Sequence, residues 1–334
     1  MGEHKRISVV VPVYNGASTL AKCLEALFAS DYENFEVIVV NDGSTDATPQ
    51  IAARYPCRLL NQPNMGAAQA KNAGAREATG ELLFFTDDDV YVPPQALGYV
   101  AEALADPQVD GVVGLLGPDC PHSNFASQFK NLWMHYTYRR QPRRVGLFFT
   151  SAAGIRRGLF LHEGGFDSHY AGASITEDIE FGQRLLSKGY TVVMDQRLMV
   201  THDKRYSGRE VLRTDVLRAR GLIQTWLRNR LAQEKRAHYA SVPWFFGAGV
   251  AALGLGTLLA LLALAFWSGA FLWAALAMIV AALAFNAPFH AALYRWRGPR
   301  FLAQSVAFLL ADLFASGLGI ALGICDFALR GRRY

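Results

Sequence analysis

Apolar and polar positions over the first 90 residues follow two periods, one typical of buried strands and one of helices. Ile7 to Val13 is apolar except for Ser8 and Pro12, which predicts a strand covered on both faces, as in a parallel sheet. Further strands are predicted at 35–40, 58–61 and 82–86, and helices at 20–28, from residue 48, and at 66–78. This alternation predicts a doubly wound α/β domain whose ligands bind at the carboxyl ends of the strands.

The alternation is harder to follow after Gly114. Aromatic side chains at helical spacing predict a helix within 117–145, and a further strand is predicted at 191–194. From Val211 to Leu231, apolar residues share one helical face and arginines occupy the other. That pattern is typical of a helix lying in a membrane interface.

The C-terminal part has the composition of a membrane domain. The 58 residues from Ala237 to Tyr294 contain no Asp, Glu, Lys or Arg. Since a soluble core helix of about 12 residues needs no such run, we expect membrane spans of about 20 residues each. They are predicted at about 242–267, 270–294 and 301–329. Three crossings would put the basic C-terminus outside, against the positive-inside tendency, so the third segment either breaks that rule or is re-entrant.

The distribution of charge supports a cytoplasmic location next to a membrane. Of the 33 Lys and Arg residues, eleven lie between Arg197 and Arg236, against four Asp and Glu. A basic flank beside a span indicates the cytoplasmic face and attraction to anionic lipid, and nucleic acid binding is the weaker interpretation. The four cysteines form no close pair, which disfavours a disulfide or zinc framework. The N-terminal residues do not have the pattern of a signal peptide.

Three consecutive carboxylates, Asp87, Asp88 and Asp89, directly follow the predicted strand at 82–86. They repel one another unless a cation is present, and hard oxygen ligands suit Mg²⁺ or Mn²⁺ bridging a diphosphate. A solvated acidic turn is the alternative, and the triplet alone does not decide between the two.

Six motifs carry a resemblance to a known family. They are, in order, VVVPVYNG at 9–16, VVNDGSTD at 39–46, NMGAAQAKNAG at 64–74, FFTDDDV at 84–90, GGFD at 164–167 and TEDIEFGQRLLSKGY at 176–190. Together they resemble glycosyltransferase family 2 over about residues 6–205. The resemblance implies a GT-A type doubly wound mixed sheet at 1–210, a cytoplasmic catalytic domain that binds a nucleotide sugar. We expect a basic amphipathic juxtamembrane segment at 211–236 and a membrane domain of two to three helices at 237–334.

The resemblance also implies site residues. Nucleotide contacts are implied for Pro12, Tyr14, Asn15, Asp42, Asn64, Lys71, Asn72, Asp87 and Asp88. Asp42 would accept a hydrogen bond from a uracil ring, and the family more often has Arg where this chain has Lys71. For Asn15 and Asn64, ordinary turn chemistry is the alternative.

Residues that match the metal-binding positions of the family are Asp87, Asp89 and His202. Asp89 is the expected direct ligand of Mn²⁺ or Mg²⁺, which would stabilise the leaving diphosphate. A purely structural histidine is the alternative for His202.

Asp178 matches the family's general base, which deprotonates the acceptor hydroxyl, and Glu177 precedes it. The helix macrodipole also favours acids at this place, and both explanations can hold. The QxxRW motif of processive synthases is not matched by residues 224–228. The sequence thus predicts inverting transfer of one sugar, expected to be UDP-linked, to a lipid or lipid-linked acceptor at the cytoplasmic membrane face. A polyprenyl-phosphate glycosyl synthase and a non-catalytic nucleotide-sugar-binding membrane protein are the alternatives.

Overall fold

The computed structural model describes residues 5–167, 177–231 and 242–330. Contacts divide the chain into two compact units. Of the described residues, the first unit comprises 5–122, 138–167 and 177–205, and the second comprises 123–137, 206–231 and 242–330.

The strands of the first unit form one mixed sheet. They are β1 (Ile7–Val13), β2 (Phe35–Asp42), β3 (Arg58–Gln62), β4 (Leu82–Phe85), β5 (Val90–Tyr91), β6 (Gly111–Leu116), β7 (Arg144–Val145), β8 (Ala153–Arg156) and β9 (Val192–His202). Their order is β3-β2-β1-β4-β8-β6-β9-β5, and β7 pairs with β9. The first four strands are parallel, β8 is antiparallel to both β4 and β6, and β9 is parallel to β6. This confirms the predicted GT-A type mixed sheet.

Helices belong to both units. In the first unit they are α1 (Leu20–Phe28), α2 (Thr48–Ala52), α3 (Ala67–Glu77), α4 (Ala96–Ala105), α6 (Arg157–His162) and α7 (Glu177–Ser187). In the second unit they are α5 (Phe125–Tyr138, of which residues up to 137 belong here), α8 (Gly208–Leu231), α9 (Trp244–Phe266), α10 (Gly269–Phe285) and α11 (Ala287–Arg330). The elements predicted as far as residue 86 are present, with ends that agree within two residues.

Strand β6 explains why the predicted alternation was lost after Gly114. The strand continues through this glycine to Leu116, but its pairing with β9 shifts register between Val113 and Leu115. A Cβ atom at Gly114 would lie 2.2 Å from the carbonyl oxygen of Leu198. Glycine is therefore required by close backbone approach, although in the sequence it looks like a strand terminator.

Five phenylalanines pack together in the first unit and support the motif-bearing segments. They are Phe85, Phe148, Phe160, Phe166 and Phe181, with several ring centroids 5.0 to 5.4 Å apart. All five are almost fully buried, and each such ring contributes about 1.5 to 3 kcal/mol by burial. Because the rings come from β4, the GGFD motif and α7 among others, the cluster fixes these three segments together.

In the second unit, α9 and α10 form an antiparallel hairpin that turns at Trp267, which has a φ of +48°. The predicted span at 270–294 is interrupted: α10 ends at Phe285 and α11 begins at Ala287. Pro288 has no N–H to donate to the preceding turn, which accounts for the break. By length and composition, the helical segments 244–266 and 287–329 could each cross a membrane.

Helix α11 is two helices joined by a kink at Gly298, whose φ is +81° and which precedes Pro299. Its C-terminal part packs along α8. Cβ atoms built at Gly319 and Gly323 would lie 2.3 Å from the Val216 carbonyl oxygen and 2.4 Å from the Ile223 side chain. The apolar face of α8, which the sequence suggested for a membrane interface, thus has a protein neighbour. Residues 232–236 of the predicted juxtamembrane segment lie outside the described residues.

We expect Gly319→Ala to lower the thermal stability of the detergent-solubilised protein, because the new methyl group would meet the backbone of α8. Gly317→Ala is the matched control, since its Cβ would meet Val250 at an ordinary 3.6 Å. Overpacking costs about 1 to 3 kcal/mol, more than the roughly 1 kcal/mol that alanine gains over glycine in a helix. Thermal unfolding followed by tryptophan fluorescence measures both variants. Equal melting temperatures for the two would contradict the close packing of α8 on α11.

Candidate active site

The loops that follow β1 and β2 are bonded to each other. The Asn15 N–H donates to Ser44 Oγ at 2.9 Å, and the Thr45 N–H donates back to Asn15 Oδ1 at 2.8 Å. The Ala17 N–H donates to Asp46 Oδ2 at 3.0 Å. Asn15 has a φ of +53°, a conformation that Asn adopts more readily than most residues. The side chain of Asn15 therefore serves this turn, as the alternative interpretation of the sequence expected.

Asp42, at the end of β2, is buried and holds the loop that leads into α3. Its carboxylate accepts hydrogen bonds from Gln62 Nε2 at 2.7 Å, the Met65 N–H at 2.9 Å and the Gly66 N–H at 2.8 Å. An ionised carboxylate has about four acceptor positions, so most of its capacity is used within the protein. The predicted uracil contact would have to use what remains.

Among the other predicted nucleotide contacts, exposure differs widely. Tyr14 is 51% exposed, and Asn64 is also exposed. Pro12 is buried within β1, where it pairs with Val40. Tyr14 and Asn64 are therefore accessible to a ligand at the carboxyl ends of the strands.

The three carboxylates after β4 have three different partners. Asp87 Oδ2 accepts a hydrogen bond from Ser151 Oγ at 2.7 Å, and Asp88 Oδ2 accepts one from Thr19 Oγ1 at 2.7 Å. Burial raises the pKa of Asp88 to about 6, against the lowering effect of the Thr19 hydrogen bond, with the charges of its two acidic neighbours adding to the rise. The triplet is thus a set of individually held side chains, which argues against a freely solvated acidic turn.

Asp89 pairs with His202, and the Asp89 Oδ1 and His202 Nε2 atoms are 3.2 Å apart. Burial alone would raise the pKa of Asp89, but the hydrogen bond and charge of His202, together with Lys204, lower it. Two ligands of one Mg²⁺ or Mn²⁺ ion, each at about 2.1 Å, are separated by about 3 Å at a right angle. The oxygen and nitrogen atoms of this pair fit such an ion.

Asp87 is held by Ser151 and by Lys71, whose Nζ lies 3.5 Å from Asp87 Oδ1. Within residues 5–167, 177–231 and 242–330, no three His, Cys, Asp or Glu side chains form a group that could hold a metal ion. Mg²⁺ is commonly held by one or two carboxylates together with substrate phosphates. Asp89 and His202 fit that arrangement, and the direct role of Asp87 stays a prediction.

Lys71 is a buried cation among the acidic motifs. Its Nζ donates to Thr150 Oγ1 at 2.5 Å and lies 3.5 Å from Asp87 Oδ1. Burial alone would lower the pKa of Lys71, but the negative charges of Asp87, Glu177 and Asp178 outweigh it and raise that pKa. Since Lys71 is only 3% exposed, it faces these carboxylates where the sequence predicted a phosphate contact.

Glu177 and Asp178 begin α7. Asp178 Oδ1 accepts a hydrogen bond from the Ile179 N–H at 2.7 Å, and its carbonyl oxygen accepts one from the Phe148 N–H at 3.2 Å. Glu177 is buried, and its Oε2 has no hydrogen-bond partner among the described residues. Asp178 is the more accessible of the two acids and is held in a fixed orientation. Thr176, the predicted helix cap, lies outside the described residues.

Asn72, a predicted nucleotide contact, makes two hydrogen bonds within the protein. Its Nδ2 donates to the Phe166 carbonyl oxygen at 2.7 Å, and its Oδ1 accepts from the Phe166 N–H at 2.9 Å. A Cβ at Gly165 would lie 2.4 Å from Asn72 Oδ1, so this glycine is needed for the approach. Asn72 therefore fixes the GGFD motif to α3 from within the protein.

Several residues of the site were not found from the sequence. They are Thr19, Thr150, Ser151 and Asp203. Asp203 accepts a hydrogen bond from Tyr91, its Oδ1 lies 2.9 Å from His122 Nε2, and its N–H donates to the Asp89 carbonyl oxygen at 2.7 Å. The only feature of the sequence that could have pointed to Asp203 is its position next to His202. Hydroxyl residues such as Thr150 lie outside the motifs, so nothing in the sequence marks them as part of a site.

We expect Asn72→Ala to lower stability by about 1 to 3 kcal/mol, because it leaves buried backbone groups of Phe166 without partners. Nucleoside diphosphate affinity should change less than threefold if Asn72 acts within the protein. Thermal unfolding and calorimetric titration of UDP and GDP measure the two effects. A tenfold weaker affinity at unchanged stability would instead support the direct nucleotide contact.

Comparison with known proteins agrees with the fold and the motifs. Residues 8–162 match the family model described as glycosyl transferase family 2. Glycosyltransferase AglE of Haloferax volcanii is 27% identical over 240 residues, which cover 68% of this chain and 76% of that protein. Validoxylamine A glucosyltransferase of Streptomyces hygroscopicus subsp. jinggangensis is 32% identical over 232 residues, which cover 57% of this chain and 53% of that protein.

Among solved structures, the mannosyltransferase PcManGT from Pyrobaculum calidifontis, in complex with GDP-Man and Mn²⁺, has a similar fold. The alignment covers 94% of this chain and 88% of that chain, with a TM-score of 0.59 and 23% identity. At this identity the likeness concerns the fold. The mixed sheet, the ordered motifs and the matched segment agree with one another: residues 8–162 form a glycosyl transferase family 2 domain.

Proposed function

We propose that the chain transfers one sugar from a nucleoside diphosphate sugar to a hydroxyl group of a lipid or lipid-linked acceptor, with inversion at the sugar carbon. The meeting of two acidic groups around Lys71 is the main support. One group follows β4 and the other begins α7, and Lys71 interacts with Asp87, Glu177 and Asp178. Glycosyl transfer needs acids with two separate tasks, one at the leaving group and one at the acceptor.

The donor would bind at the carboxyl ends of β1, β2 and β4. Asp89 and His202 would hold Mn²⁺ or Mg²⁺, which when bound offsets the charge on the leaving diphosphate. Ser151 and Lys71 keep Asp87 oriented beside this pair, and Tyr14 and Asn64 are exposed for contact with the nucleotide. PcManGT, which shares the fold, was solved with GDP-Man and Mn²⁺, which favours the same class of donor.

The acceptor hydroxyl would lose its proton to Asp178. An inverting transfer is a single displacement, so one carboxylate on the acceptor side suffices and no covalent nucleophile is needed. The hydrogen bond from the Ile179 N–H fixes the orientation of the Asp178 carboxylate. A polyprenyl phosphate acceptor would need no such base, so a well-oriented Asp178 favours a hydroxyl acceptor.

The apolar helices support a lipid acceptor at a membrane. Helix α9 has 23 residues, its most apolar 18-residue stretch has a mean hydropathy of 2.3, and large apolar side chains along it are exposed. An anchored enzyme meets its acceptor in the plane of the bilayer, so a lipid or lipid-linked acceptor fits this arrangement. In this proposal the catalytic unit is cytoplasmic, which the basic flank supports by the positive-inside tendency.

A panel of UDP- and GDP-sugars, incubated with membrane lipid extract and Mn²⁺, tests the proposed activity. We expect one donor to release its nucleoside diphosphate and to label a lipid. Omission of the divalent cation, and the variant Asp89→Ala, should each abolish both signals, because Asp89 would hold the cation. Nucleotide binding without transfer from any donor would contradict the proposal and favour a binding protein, and a labelled polyprenyl phosphate would favour the synthase.

We expect Asp178→Asn to slow transfer by about 10²-fold to 10⁴-fold, since it removes the proton acceptor and keeps the shape of the side chain. Glu177→Gln is the matched control and should have the smaller effect. Donor affinity should remain unchanged in both variants, because the base faces the acceptor. Single-turnover transfer and calorimetric donor binding measure these effects. Transfer by Asp178→Asn at a near wild-type rate would assign the base elsewhere.

A further inference from the structure

We propose that residues 300–330, the C-terminal part of α11, lie along the membrane surface together with α8 and do not cross the bilayer. The inference rests on the membrane attachment in the proposed function. The bilayer crossing is then left to the α9–α10 hairpin. The chain would thus present to the bilayer a surface for acyl chains and anionic headgroups.

The first support is the parallel course of α8 and the C-terminal part of α11. Contacts advance together along both helices, from Gly208 near Phe308, through Val216 near Gly319, to Arg220 beside Asp326. The two helices thus run side by side over about four turns of α8. Whatever path α11 takes through or along a bilayer, α8 must share it.

The second support is the charge that this pair carries. Lys130 Nζ of α5 contacts both carboxylate oxygens of Asp215 on α8, at 2.5 and 2.7 Å, and Asp312 of α11 is buried. Arg220 of α8 pairs with Asp326 of α11. In a crossing pair these residues would lie within the hydrocarbon, where insertion scales assign about 2.5 to 3.5 kcal/mol to each charged residue at mid-bilayer. At the membrane surface that cost is not incurred.

The third support is the place where α11 meets the hairpin. A Cβ built at Gly249 of α9 would lie 3.3 Å from Leu313, and one built at Gly317 would lie 3.6 Å from Val250 of α9, so the middle of the C-terminal part lies next to these α9 residues. These residues lie in the first two turns of α9, which begins at Trp244. A helix that crossed beside α9 would bring its own middle to the middle of α9, near Leu255. The observed contact instead puts it at the base of the hairpin.

The exposed surface of α8 and the C-terminal part of α11 combines apolar and basic side chains, as an element in a membrane interface does. Exposed apolar side chains recur every three or four residues along α11, at Ala307, Ala311, Phe314, Leu318, Leu322, Cys325 and Leu329. On α8, Arg209 and Arg213 are exposed. An apolar stripe beside exposed arginines suits shallow insertion among acyl chains with contact to anionic headgroups.

This arrangement also removes the conflict with the positive-inside tendency. The hairpin would cross twice, with Trp267, 94% exposed at its tip, at the far interface, where tryptophan is favoured. Helix α9 is about 34 Å long at 1.5 Å per residue, enough for a hydrocarbon core of about 30 Å. The arginines at 295, 297 and 300 and those at 330, 332 and 333 would then stay on one side.

Spin-label depth measurements test the proposal in vesicles of phosphatidylethanolamine and phosphatidylglycerol. Nitroxides are attached to single cysteines at Ala307, Phe314, Leu322 and Leu329, with Cys57, Cys120 and Cys325 changed to serine and the buried Cys23 kept. We expect all four labels to report one shallow depth by collision with oxygen and a nickel chelate. A depth that passes through the bilayer centre between Ala307 and Leu329 would overturn the proposal.

Labels at Leu255, Leu258, Leu261 and Leu264 on α9 are the matched controls and should report changing depth along the helix. If these labels stay in water, membrane attachment itself is wrong, and that failure is distinct from a crossing C-terminal segment. A second readout uses an impermeant maleimide with Arg209→Cys and Tyr334→Cys. Labelling of both from the same side supports the proposal, and labelling from opposite sides overturns it.

Discussion

The buried ammonium group of Lys71 is the interaction on which the candidate site depends. An isolated charge at this depth would cost several kcal/mol, and it is compensated by Thr150 and by the carboxylates around it. Because those partners come from the turn before β8, the end of β4 and the start of α7, one cation connects segments that lie 16 to 107 positions from it along the chain. The phenylalanine cluster formed by rings from the same region supports this arrangement through packing without charge.

The sequence predicted β1 to β4 and α1 to α3 because their apolar periods are strong and their ends carry turn residues. It also singled out the acids after β4 and at the start of α7, and the structure brings Asp87, Glu177 and Asp178 around Lys71. It could not predict the partners of Asn72, because an amide side chain reveals its capacity for hydrogen bonds but not that Phe166, 94 positions later, supplies both partners. The same applies to Ser151, which holds Asp87.

Membrane segments show a similar limit of periodicity. The apolar face of α8 was visible in the sequence, yet the pattern cannot distinguish lipid from a neighbouring helix as the material that covers it. Gly319 and Gly323 identify a neighbouring helix as what covers this face, since they permit close backbone approach by α8. Likewise, Asn286 and Pro288 lie in an otherwise continuous apolar run, and the break between α10 and α11 follows from the missing N–H of proline.

The hydrogen bonds between the loops after β1 and β2 limit where this domain can accept insertions and deletions. Asn15 and Ala17 of one loop are bonded to Ser44, Thr45 and Asp46 of the other, so each backbone position is matched to a specific position across the gap. An insertion or deletion in either loop would displace every later bond at once. These loops can therefore accept substitutions but not changes in length. New substrate preferences must arise by insertion elsewhere around the sheet.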